Sequence, residues 1–119
     1  MADYQYVPGG ANEKHYYDEC WKIASPSGSD LSGAHAVNFL KRSQVDLGVL
    51  KQIWSFSTPV ASMNIAQFYC ALRYITMSQA GDFPINKERL QSSSAIDLGV
   101  PKFTGVVIPP IQRWFFLII

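Results

Sequence analysis

Cysteine and histidine are scarce in this chain, with two of each among 119 residues. Cys20 and Cys70 have no neighbour at CxxC spacing, so no zinc ribbon or thioredoxin-like redox motif can be assembled. Both fall within expected helices and read as reduced, partly buried packing thiols of a cytosolic protein. His15 and His35 are isolated and read as surface residues. Positive charge is not in excess: the formal net charge is +1, and apart from Lys41 and Arg42 the basic residues are scattered. That balance argues against a dedicated nucleic-acid binder. No apolar run reaches the roughly 20 residues that span a bilayer. The opening "MADYQYVPGG" lacks the basic-then-apolar order of a secretion signal. There is no glycine-rich phosphate loop and no paired-carboxylate pattern. Together these absences turn the reading away from an enzyme.

What is present is an apolar chain, 48% hydrophobic and 16% charged, suited to one small globular domain. Pro8, Gly9 and Gly10 mark residues 1–11 as a flexible lead. Asn12 is placed to cap a helix over about residues 13–24, whose stripe is Tyr17, Cys20, Trp21 and Ala24. "SPSGSD" interrupts it. Ser32 caps a second helix through about residue 42, with Ala36, Val37 and Leu40 on one face and Phe39 to its side. Asp46 caps a third over about residues 47–56, where its charge suits the helix end, and Pro59 stops it. Asn64 and Gln67 form a capping box for a fourth, with the stripe Ile65, Phe68, Leu72 and Ile75. Gly81 and Pro84 end that helix. A short fifth helix fits residues 87–91, followed by extended chain.

These elements make two helix-loop-helix units. Leu31 and Met63 each stand one position before a helix cap, so the two loops can join as an antiparallel ladder. The expected fold class is all-α: a paired EF-hand with a short antiparallel β connection. A calcium-binding loop of this kind needs several oxygen ligands and a closing bidentate Glu. The first loop offers Asp30 and serines. Residues 57–65 contain no carboxylate, and the neutral Gln67 stands near the place of the closing Glu. The expectation is that neither loop binds calcium and that no cofactor is used. A second loop without an ion must then be held by packing, through Val60 and Met63.

The third helix carries more apolar surface than one core stripe requires. Leu47, Leu50 and Trp54 cluster on one side, and Val49, Ile53 and Phe56 form an adjacent cluster. Gly48, Lys51, Gln52 and Ser55 fill the remaining arc. One core-facing stripe needs only ~100° of the cylinder. Periodicity alone leaves two readings open: a central helix buried by several neighbours, or one cluster facing the core while the other lines a pocket. An aromatic anchor in such a pocket can dominate binding energy. Lys41, Arg42 and Lys51 would give it a basic rim favouring acidic neighbours of the anchor.

"LSGAHAVNFLKRSQVDLGVLKQIWSF" resembles the core of an EH domain, the homology domain of the Eps-fifteen endocytic adaptors. "FYCALRYITMSQAG" resembles the helix that follows, and "LGVPKF" the proline-containing segment that ends many such domains. The resemblance covers residues 12–103 and looks closest to the N-terminal EH domains of endocytic scaffold proteins. It implies a paired EF-hand that binds Asn-Pro-Phe motifs of endocytic and vesicle-trafficking proteins. It also implies cytoplasmic residence, with recruitment to plasma-membrane endocytic sites or vesicles. By this resemblance Leu40, Leu50 and Trp54 match the hydrophobic pocket, Leu47 and Lys51 lie beside them, and Ser43 matches a small polar linker position. The partner's Phe enters between Leu50 and Trp54. There are departures: Asp46 stands where many members have Pro, Val45 replaces a common Leu, and the second loop has lost every acidic ligand.

Residues 104–119 lie outside the resemblance and end in the apolar "IQRWFFLII". Packing on the domain, truncation of a longer scaffold, and occupancy of the peptide groove are the three expectations for this tail. Two alternative functions accompany the adaptor reading. One is a degenerate EH-like structural or dimerisation domain; the other is peripheral binding to anionic phospholipids through Lys41, Arg42 and Lys51.

Overall fold

The computed structural model describes residues 6, 10–28, 30–57, 62–81, 86–93, 98–106 and 108. The expectations for Pro84, Val60 and "IQRWFFLII" fall outside these residues. The helices are α1 (Ala11–Ala24), α2 (Gly33–Leu40), α3 (Leu47–Ser57), α4 (Ile65–Ala80) and α5 (Lys87–Ser93), and a 3-10 turn spans Lys41–Ser43. Strands β1 (Leu31–Ser32) and β2 (Ser62–Met63) pair antiparallel, with Leu31 opposite Met63 and Ser32 opposite Ser62. The ladder expected from the two apolar pre-cap residues is therefore the join between two helix-loop-helix units. Leu31 and Met63 are both buried there.

Local chemistry sets most helix ends. The Ser32 hydroxyl accepts from the His35 backbone N–H at 3.3 Å. The Asp46 carboxylate accepts from Gly48 N–H at 3.0 Å. Asn64 and Gln67 form the full reciprocal box, each bond 2.8 Å. Gly81 closes α4 in the left-handed region at φ 76°, where the absence of a Cβ removes the steric penalty. The start of α1 differs from expectation. Gly10, not Asn12, holds the cap position, without a side-chain bond, and Asn12 lies inside the first turn. Within that turn Glu13 pairs with Arg73 of α4 at 3.2 Å and accepts from the Tyr6 hydroxyl at 2.5 Å.

Helix α4 is the centre of the molecule. Every residue from Cys70 to Met77 is buried, as is Phe68. The single stripe expected for it is corrected in two ways: Ile65 is 40% exposed, and the burial runs around the cylinder. Several neighbours cover it. Trp21 of α1 meets Phe68 edge-on at 5.3 Å between centroids, and Phe56 of α3 meets Tyr74 at 5.8 Å. Leu90 of α5 is buried where α5 packs on α4. Tyr6, in the segment read as a flexible lead, is buried as well. Its N–H donates to the Cys70 thiol at 3.3 Å, and the Arg73 guanidinium lies 4.8 Å from its ring centroid. A buried arginine needs such a ring-and-carboxylate setting, because leaving it unpaired would cost several kcal/mol, ~3–5. On α2 it is Phe39, rather than Val37, that joins Ala36 and Leu40 in the core. Phe103 draws it inward, with ring centroids 4.7 Å apart.

Candidate functional site

The segment that joins α2 to α3 is braced at every step. The Ser43 hydroxyl donates to Leu40 C=O at 2.6 Å and accepts from Val45 N–H at 3.3 Å. Gln44 then turns the chain at φ 64°, the only positive φ of a non-glycine residue among those described. A side chain in that region costs about 1 kcal/mol, so the surroundings must hold it there. Asp46 then caps α3.

Along α3 the two sequence clusters do not separate into one facing the core and one facing out: each contributes one buried residue. Leu50 and Ile53 are buried, while Val49, Trp54 and Phe56 are half-buried against the core. Leu47 is 54% exposed, and Lys51 faces solvent. The buried centre of α3 is therefore Leu50 and Ile53, with Leu47, Lys51 and Trp54 along one border. The residues singled out from the sequence divide accordingly. Leu40 and Leu50 belong to one continuous apolar cluster, and Trp54 packs against it. Leu47 and Lys51 stay outside, at the surface. Ser43 is buried, and its hydroxyl is spent inside the linker.

A cleft of about 470 Å³ lies beside the linker. Its lining includes Arg42, Ser43, Gln44, Gln79, Lys102 and Phe103, and none of Leu47, Leu50, Lys51 or Trp54. The segment 98–104 forms one wall. It is fixed by Gln79, whose side-chain amide donates to Ser43 C=O at 3.0 Å and to Lys102 C=O at 2.8 Å, and accepts from Lys102 N–H at 2.8 Å. Thr104 N–H adds a bond to Arg42 C=O at 2.7 Å. Sequence reasoning found the segment, as "LGVPKF", but not its clamp. Nothing local pairs a glutamine with a backbone 23 residues away.

The chemistry of the remaining candidates is structural. Burial, then the Glu19 carboxylate, pushes the Cys20 thiol up to about 12. Burial also raises Cys70, against the lowering effect of the Tyr6 N–H. Neither is in a disulfide, and neither supplies a thiolate near neutrality. Among the described residues no three His, Cys, Asp or Glu side chains gather as metal ligands. The donor set of the second loop does not fit calcium: it has no carboxylate, and the Gln67 side-chain oxygen is taken by the Asn64 N–H. Among the same residues no helix is long and apolar enough to cross a membrane.

Two EF-hand-like units joined by a short antiparallel ladder are the architecture of the EH domains, a family of protein-interaction modules. The family model of the EH domain matches residues 10–94, and the chain belongs to that family. It is 29% identical over 102 residues to an epidermal growth factor receptor substrate 15 homolog of Dictyostelium discoideum. That match covers 85% of this chain but only 8% of the relative. The fold is similar to the crystal structure of the N-terminal EF-hand domain of Arabidopsis thaliana AtEH1/Pan1 (28% identity, TM-score 0.65, covering 75% of this chain and 94% of that one). It is also similar to the second EH domain of AtEH1/Pan1 (26% identity, TM-score 0.70, covering 85% and 100%).

Proposed function

We propose that this EH domain binds Asn-Pro-Phe motifs of endocytic and vesicle-trafficking proteins in a groove between α2 and α3, and serves as a cytoplasmic adaptor at endocytic sites. The observation that carries the reading is the placement of Trp54. It is half-buried against the cluster holding Leu40 and Leu50, while Leu47 beside it is left 54% exposed. In this proposal Leu40 and Leu50 form the floor and Trp54 the wall for the partner's phenylalanine. Leu47 and Lys51 form the rim, and Ser43 holds the linker that sets the two helices. Exposed Lys41, Arg42 and Lys51 favour acidic residues beside the motif, and give anionic phospholipid headgroups a weaker, salt-sensitive attachment. The site works without calcium, because its support is side-chain packing rather than an ion.

Trp54→Ala should lower affinity for a short Asn-Pro-Phe peptide by at least about 30-fold, the loss of one anchoring side chain. Far-UV circular dichroism should stay helical, and added chelator should leave wild-type affinity unchanged. Isothermal titration calorimetry on both proteins reads the result. Equal affinities would remove Trp54 from the site. A flat wild-type titration together with self-association would favour the structural or dimerising alternative.

A further inference from the structure

The Gln79 clamp is unexplained by a peptide groove taken alone. Gln79 sits in the last turn of α4, and its side chain uses both amide protons and its oxygen on backbone groups of two other segments. Three of its four hydrogen-bonding positions are therefore committed. One partner, Ser43 C=O, belongs to the α2–α3 linker; the others belong to Lys102. The next linker residue, Gln44, is held at φ 64° and donates its side-chain N–H to the Thr104 hydroxyl at 3.4 Å. Thr104 N–H binds Arg42 C=O, and the Phe103 ring packs tilted against Phe39 of α2. The linker that places α3 against α2 is thus tied to segment 98–104 by contacts at Arg42, Ser43 and Gln44.

We propose that Gln79 is a positioning residue for the peptide groove. Its hydrogen bonds go to the linker and to Lys102 rather than to α3. By joining the Ser43 carbonyl to Lys102 it holds the linker in its left-handed turn, and so sets how Trp54 and Leu50 are presented beside Leu40. This rests on the reading that the α2–α3 groove is the peptide site.

Two variants of similar size and helix propensity test it. Gln79→Leu removes all three bonds. Gln79→Glu keeps an acceptor for Lys102 N–H but turns a carboxylate toward two carbonyls. Each is measured below its unfolding temperature, by amide NMR of the free protein and by titration with an Asn-Pro-Phe peptide. The expectation is about tenfold weaker binding for Gln79→Leu, as for loss of one to two hydrogen bonds, and at least as much for Gln79→Glu. Amide shifts in the free variants should extend from Ser43 to Trp54. A role in stability alone would lower the unfolding temperature but leave both the peptide affinity and the α3 shifts of the folded protein unchanged, and that result would overturn the proposal. Absence of binding in the wild type would refute the peptide reading instead; the free-protein shifts at Leu47–Trp54 would still decide whether Gln79 positions α3.

Discussion

Helices α3 and α4 pack on one another and are both rich in apolar residues, yet they are finished differently. Helix α4 is buried without interruption from Cys70 to Met77, and its one charged residue there, Arg73, is paired. Helix α3 is buried only at its centre, and Leu47 and Trp54 remain partly open. The first pattern is that of a core element whose neighbours have closed around it. The second leaves apolar surface beside a cation. On the proposed reading, it is the incomplete burial of α3, rather than apolar content alone, that would mark a binding surface.

Substitutions in the two helices should therefore break different properties. Phe68→Ala should cause the largest loss of stability, about 3–5 kcal/mol, because it empties a fully buried site between Trp21 and Phe39. Chemical denaturation measures it, and the fraction that remains folded should bind peptide normally. Trp54→Ala should do the reverse, losing binding with a smaller change in the denaturation midpoint. Asn64→Ala should remove about 1 kcal/mol by opening the capping box, with peptide affinity preserved, since the box lies at the start of α4.

The smallest effect belongs to Asp18 on α1. Burial raises its pKa, but hydrogen bonds from Lys14 and Tyr69 and the charges of Lys14 and Lys22 together outweigh it and hold the carboxyl below its ordinary 3.8. A depressed folded value means that its contribution is fully present above 3.8 and is lost as pH falls through the lower folded value. Asp18→Asn should thus unfold at a slightly lower temperature than wild type near neutrality. The two melting curves should converge in acid below that folded value.

The parts of the fold legible in the sequence were those with local causes. Ser32, Asp46, the Asn64–Gln67 box and Gly81 each act within one helical turn, and each stands where its chemistry requires. Leu31 and Met63 were legible because a strand residue before a cap has few other roles. What escaped depended on distant chain. Gly10 replaces Asn12 as the cap, and the first turn of α1 is tied to Arg73, 60 residues on from Glu13. Phe39 turns inward because Phe103 waits for it. The all-round burial of α4 requires Tyr6 and α5, neither of which its own periodicity encodes. At the candidate site, periodicity left Trp54 undecided between core and pocket, and the EH resemblance selected the pocket. The structure places Trp54 half-buried at the edge of the core. Ser43 matched a linker position, but its brace on Leu40 and Val45 needed coordinates.

The most direct test of the distinction between the closed helix and the open one is an NMR titration of the isotopically labelled chain with a short Asn-Pro-Phe peptide. Binding in the proposed groove predicts saturable shifts centred on Leu40, Leu50 and the Trp54 indole, with the interior of α4 unmoved. Shifts confined to Gln79, Lys102 and Thr104 beside the cleft, or no shifts at all, would contradict it.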